Sequence, residues 1–222
     1  MKNESGRSML EMLGVLAIIG VLSVGAMAGY SKAMMQHKLN KNSEEISYLL
    51  ATALFNSDKL NRASFNLLGE LQALGGFTWH IEPYAPVWPG ERYLSVTDSL
   101  GNQLWFEHYT KEEYPNIGDW FAMAVYLPQS DYISKVCYNY VNVFKNLSSE
   151  LYGIYVTNST NTVDTRDAWR GQTCTSGKCL QNITNTDIVN LCQKLCVGAT
   201  RCVLYAMWGA PTEMIQQRFE SN

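Results

Sequence analysis

Hydrophobic positions along the chain fall into two regimes. Residues 12–29, MLGVLAIIGVLSVGAMAG, hold no charge and no proline. With Met9 and Leu10 in front, the run reaches the roughly 20 apolar residues that a helical span of a bilayer needs. One carboxylate, Glu11, sits at its front edge. Beyond it, residues 30–57 contain neither proline nor glycine, and Met35, Leu39, Ile46, Leu49, Leu50, Ala53 and Leu54 recur at three- and four-residue steps. That spacing predicts one apolar face, with Lys38, Lys41, Glu44 and Glu45 mostly off it. The two regimes together predict one continuous helix of roughly 50 residues, from about residue 8 to residue 57, apolar all round at first and one-sided later.

The remainder reads as a mixed domain. FNLLGELQAL fits a short helical piece, and GGFTWHIEPYAPVWPG is crowded with breakers and aromatics, so residues 59–90 are expected to be largely irregular. ERYLSVT and QLWFEHY flank the turn-rich DSLGN and predict a hairpin; WFAMAVYL is a third strand, ended by Pro128. Ser130 is placed to cap a helix carrying Ile133, Val136, Cys137, Tyr140, Val141, Phe144 and Leu147 as a 3–4 stripe. IYVTN is a fourth strand, the polar residues 159–170 are expected to be irregular, and CTSGKC a tight loop. Thr186 is taken as the cap of a short helix with Ile188, Leu191, Cys192 and Leu195 inward; RCVLYAMW closes the fold, followed by a polar tail. Strands and helices in this order predict an α+β head: an antiparallel sheet with two further helices beside the long one, disulfide-bonded.

Composition supports a packed core, with 46% hydrophobic and 12% aromatic residues in 222. The net charge is −3, and Lys2 and Arg7 cancel Glu4 and Glu11, so the rest also sums to −3. No basic surplus points to nucleic acid as a partner. The six cysteines, Cys137, Cys174, Cys179, Cys192, Cys196 and Cys202, cluster late in the chain. An even, clustered set fits disulfides formed in an oxidising compartment. Their spacings are not those of a zinc finger, and His37, His80 and His108 are isolated. No nucleophile elbow, phosphate loop or metalloprotease helix occurs, so the chain is read as no enzyme, with no catalytic residue, metal or cofactor. Tyr30, Tyr48, Trp79, Tyr84 and Trp88 form an aromatic set read by default as buried between helix and head. The three Asn-x-Ser/Thr triplets, at Asn146, Asn158 and Asn182, are read as chance matches.

The apolar start admits three readings. A secretory signal would be cut at the Ala26-x-Ala28 site, before Gly29. A plain anchor would keep the segment for attachment alone. The third rests on Gly6-Arg7-Ser8-Met9-Leu10-Glu11 followed by MLGVLAIIGVLS, which resembles the class III signal of type IV pilins. The resemblance implies a leader of residues 1–6, cut after Gly6 by a prepilin peptidase, and N-methylation at Arg7. Arg7 departs from the apolar first residue usual in that family. The implied domains are the leader 1–6, a long helix 7–58 whose half 7–30 serves membrane and assembly, and a head 59–222. Glu11 is implied to act in assembly. Gly14, Gly20 and Gly25 punctuate the same half; glycine weakens a helix by about 1 kcal/mol relative to alanine. Gly25 and Gly29 form a small-xxx-small pair suited to close helix approach.

The order of elements, and KLCVGATRCVLYAM near the end, is similar to the type IVb pilins. By that resemblance Cys137 on a mid-domain helix pairs with Cys196; Cys174–Cys179 is read as a small loop closure around Gly177, which leaves Cys192–Cys202. A rival scheme joins Cys137–Cys192 and Cys196–Cys202, and sequence does not separate the two. The function implied is a structural subunit of a type IV pilus-like filament, a helical homopolymer of pilin subunits. Its further partners are the peptidase, the inner-membrane assembly machinery and the membrane. It resides in the inner membrane as a single-pass protein before assembly and outside the cell afterwards. Within the family, the alternative is a pseudopilin or minor pilin of a secretion system; from another class, an exported disulfide-bonded binding protein.

Overall fold

The computed structural model describes residues 5–60, 67–84, 93–109, 118–159, 164–172, 174–175 and 177–211. The chain divides into two units, Met1–Asn40 and Lys41–Asn222. One helix, α1 (Ser5–Phe55), begins in the first and ends in the second. Its length of 51 residues follows from the sequence: between 30 and 55 nothing breaks the backbone ladder.

The second unit adds α2 (Leu67–Ala73), β1 (Ile81–Tyr84), β2 (Tyr93–Thr97), β3 (Gln103–Tyr109), β4 (Gly118–Leu127), α3 (Ile133–Asn146), β5 (Gly153–Ser159), β6 (Asp164–Arg170), a single 3-10 turn at Leu180–Asn182, α4 (Asn185–Cys196) and β7 (Arg201–Pro211). The strands form one sheet in the order β1-β2-β3-β4-β7-β5-β6, antiparallel at every pairing. The last strand inserts at the middle, between β4 and β5. The fold is thus α+β, a long N-terminal helix with an antiparallel sheet, further helices and disulfides. Among the described residues three further α-helices are present where two were expected, because LLGELQA closes as α2 with Leu67, Leu68 and Leu71 buried.

Alternation along the strands buries both faces of the sheet. One row runs Leu104, Val125, Leu204, Val156 across β3, β4, β7 and β5, all fully buried. The opposite row runs Trp105, Ala124, Tyr205, Tyr155, with Tyr155 and Tyr205 stacked 4.3 Å apart. β5 and β6 join as a hairpin, so residues 164–170 are not irregular as their polarity suggested. An edge strand needs only one buried face, and charges along it suit an exposed edge. β1 occupies the other edge with Pro83 in it, where a missing N–H is tolerated.

Two caps differ from expectation. Tyr132 is the N-cap of α3 and makes no side-chain cap bond; Ser130 contributes its carbonyl, which accepts from Ile133 N. For α4 the cap is Thr184, not Thr186. Its hydroxyl accepts from Asp187 N, and the Asp187 carboxylate accepts from Thr184 N at 3.0 Å, a reciprocal capping box. The Thr184 hydroxyl, 2.6 Å from Asp187 Oδ2, and then the Thr184 N–H hold the Asp187 carboxyl below its ordinary pKa.

Candidate assembly helix and its seat in the head

In the first unit the apolar half of α1 is exposed on every side. Leu13, Leu16, Ile19 and Leu22 are all more than half exposed, as is Val21 at 75%. Gly14, Gly20, Gly25 and Gly29 have no neighbouring side chain or distant backbone within 4 Å of an added Cβ. Glu11 is exposed on this half, and Gly6 and Arg7 lie in the first turns of α1. By length and composition the helix can cross a membrane. Apolar surface left in water is unfavourable, at roughly 25 cal/mol per Å².

Past residue 40 the same helix becomes part of the second unit. Ile46, Leu49, Leu50 and Ala53 of the expected stripe are fully buried there, and Leu54 is half-buried. Tyr48 and Tyr30 are exposed, at 60% and 67%, which corrects their expected burial. They lie on the side of α1 away from the stripe. Trp79 is half-buried; Trp88 and the Tyr84 side chain lie outside the described residues.

The seat of this helix is a buried carboxylate that sequence reasoning missed. Asp98 is 5% exposed and begins the turn between β2 and β3. Its Oδ1 accepts from Leu100 N and Asn102 N, each at 2.8 Å. Its Oδ2 accepts from Asn42 Nδ2 at 2.7 Å, from Asn102 Nδ2 at 2.8 Å and from the Tyr140 hydroxyl. The carboxylate thus gathers α1, the hairpin turn and α3 through neutral donors. Alongside, Ser43 Oγ donates to Asn139 Oδ1 at 2.6 Å, and Asn139 Nδ2 donates to Asn42 Oδ1 at 3.3 Å. Burial first, then the Asp98 charge and hydrogen bond, push the Tyr140 phenol well above its ordinary pKa. The D-x-x-x-N turn was a readable signal for local bonds to Asp98. Its partners 56 residues earlier and 42 later were not.

Three disulfides lock the rest. Cys137 of α3 pairs with Cys192 of α4, Cys174 with Cys179, and Cys196 with Cys202 at the start of β7. The Cys137–Cys196 and Cys192–Cys202 pairs implied by resemblance are not formed. Cys192 and Cys196 are one turn apart on α4, but Cys192 is the one beside α3, with Cα atoms 5.8 Å apart. Cys196, at the helix end, lies 5.0 Å from Cys202 by the same measure. Gln129 Nε2 donates to the carbonyls of Cys196 and Ala199, holding the link between α4 and β7.

His37 and His80 are exposed, and His108 stacks on Phe121 at 4.0 Å. Among the described residues no group of three or more His, Cys, Asp or Glu is placed to hold a metal ion.

No family model matches the chain, and no curated protein matches it. Among solved structures, the chain is similar to a type IV b pilin from Salmonella typhi, with 12% identity, 77% of this chain and 99% of that one covered, and a TM-score of 0.45.

Proposed function

We propose that the chain is the structural subunit of a type IV pilus-like extracellular filament. Residues 1–6 are its leader, 7–58 its long helix with 7–30 as the membrane and assembly half, and 59–222 its head. A prepilin peptidase cuts after Gly6, and Arg7 becomes the methylated N-terminus. The subunit waits in the inner membrane with its apolar half in the bilayer. The assembly machinery then adds it to a helical, head-to-tail fibre, an open heterologous assembly.

The observation that carries this reading is the apolar half of α1, exposed all round with Glu11 near its front and continuous with a helix seated in a disulfide-bonded head. A secretory cut before Gly29 would discard half of that helix. A carboxylate in grease costs on the order of 2.5–3.5 kcal/mol at helix centre. The new α-amine, with a pKa near ~8, is a cation available to offset it. When helices stack with a small axial offset, the amine of one copy meets Glu11 of the next, and the charge acts as a register device. Neighbouring helices replace lipid around residues 12–29, so the gain is packing and charge pairing rather than escape from water.

The test is a pair of measurements. N-terminal sequencing of the native protein is expected to begin at Arg7; a start at Gly29 would leave an exported head and no fibre subunit. Glu11→Ala is expected to be processed normally and to accumulate in the membrane without sheared fibres. A normal yield of fibre from that variant would remove the pairing argument.

A further inference from the structure

The buried stripe of α1 in the second unit is close to self-similar along its axis. Ile46, Leu49, Leu50 and Ala53 repeat at helical spacing, so sliding the helix by one turn, about 5.4 Å, exchanges one aliphatic side chain for another. Apolar burial has no direction and does not choose among such positions strongly. On the buried side two polar residues interrupt the stripe. Asn42 is fully buried, and Ser43, half-buried, follows it. Each bonds to an atom of the head, Asp98 Oδ2 at 2.7 Å and Asn139 Oδ1 at 2.6 Å.

We infer that Asn42 is the residue that fixes the axial register of α1 within the second unit, with the Asp98 carboxylate as its receptor. Four of the five donors to this carboxylate, Leu100 N, Asn102 N, Asn102 Nδ2 and the Tyr140 hydroxyl, come from the hairpin turn and α3. Asn42 supplies the fifth. Asn42 also accepts from Asn139, so its amide is read at both ends. A slide of one turn sets Ile46 against the carboxylate and leaves the Asn42 amide to find another partner. A buried polar side chain that selects one register of an otherwise permissive apolar seam is a known physical device in paired helices. Asn42 and Asp98 are thus positioning residues for the part of α1 that belongs to the second unit. The inference goes beyond the filament reading and does not need it.

The test uses cross-linking in the full-length chain extracted from membranes. All six native cysteines are paired, so added ones report cleanly. Ser43→Cys with Asn139→Cys traps the native register. Asn40→Cys or Ser47→Cys with Asn139→Cys traps a slide of about one turn either way. With Asn42 and Asp98 intact, the native pair is expected to close about tenfold faster than either slid pair, given the narrow separation a disulfide accepts. In the Asn42→Leu background that preference is expected to fall to within about twofold. Asn42→Ala serves where leucine does not fit, and a folded head is checked by its three native disulfides. A lower melting temperature with the native preference intact would overturn the inference, since that is what a residue needed only for stability would give. Fibre formation is not part of the readout, so failure here leaves the filament proposal standing, and the reverse holds too.

Discussion

The two units use the same residue types to opposite ends. In Met1–Asn40 the glycines at 14, 20, 25 and 29 meet nothing within 4 Å. In Lys41–Asn222, an added Cβ at Gly171 would lie 2.0 Å from the Leu151 carbonyl oxygen and 2.8 Å from that of Ser148. At Gly209, with φ +104°, it would lie 2.9 Å from the Asp119 carbonyl oxygen and the Trp120 Cα. Leu13, Leu16, Ile18, Ile19 and Leu22 are exposed in the first unit, whereas Ile46, Leu49, Leu50, Leu104 and Leu204 are fully buried in the second. In the one region the polar cluster at Asp98 is bonded and the six cysteines are paired. The other carries an apolar surface exposed along residues 12–24. Changes in the second unit should therefore register as stability, and changes in the first as association.

The sharpest way to break that contrast is to add one methyl group to each region. Gly171→Ala drives a methyl into two backbone carbonyls that no rotamer change relieves. Its expected cost is about 3 kcal/mol or more, enough to deplete folded protein. Gly20→Ala is expected to leave the head's melting curve unchanged and to strengthen its own helix by about 1 kcal/mol. Near-ultraviolet circular dichroism against temperature reads both. A wild-type melt from Gly171→Ala, or a lowered one from Gly20→Ala, would blur the division.

Within the head the disulfides give a graded comparison. Cys137–Cys192 spans a separation of 55 residues and Cys196–Cys202 one of 6. In the chain-entropy model, removing the first by paired Ser substitutions costs about 4 kcal/mol and the second about 2 kcal/mol. Denaturant midpoints of the two variants should fall in that order. Equal midpoints would mean that closure entropy is not what distinguishes them.

Much of this architecture was legible because it is periodic. The 3–4 stripe of α1 and the alternation of β2 to β4 are repeated signals, so one ambiguous residue does not spoil them. What failed was single-residue chemistry. Thr184 and Thr186 are both plausible caps by type, yet Thr184 has Asp187 three positions on and Thr186 has Val189. The capping-box spacing was in the sequence and decided it. β6 was hidden because a polar edge strand lacks the hydrophobic alternation that marks a central one. The cysteine scheme turned on which of two residues, one helical turn apart, faces α3, a matter of packing that spacing does not encode. The seat at Asp98 was least visible, since its partners are distant in sequence and only folding brings Asn42 and Tyr140 to one oxygen. In the first unit, Gly6, Arg7 and Glu11 remain readable as a motif, and the roles proposed for them involve partners outside the chain.

The smallest expected effect belongs to that seat and is read through pH. Tyr140 is buried, and burial together with the Asp98 carboxylate raises its pKa in the folded head. A phenol in the unfolded chain titrates near pH ~10. Below that value both states hold the proton, and stability does not depend on this group. Above it the unfolded chain releases the proton while the folded head retains it. Stability then falls as pH rises toward the folded pKa, by at most about 1.4 kcal/mol per pH unit. The other tyrosines titrate in the same range, so the quantity to measure is the difference between wild type and Tyr140→Phe. Denaturant midpoints are expected to run parallel from neutral pH to about pH 9 and to converge above about pH 10, as the wild type loses what the variant never had. Parallel curves throughout would mean that the hydroxyl at the seat titrates as it does in the unfolded chain, and that the head holds α1 without help from that proton.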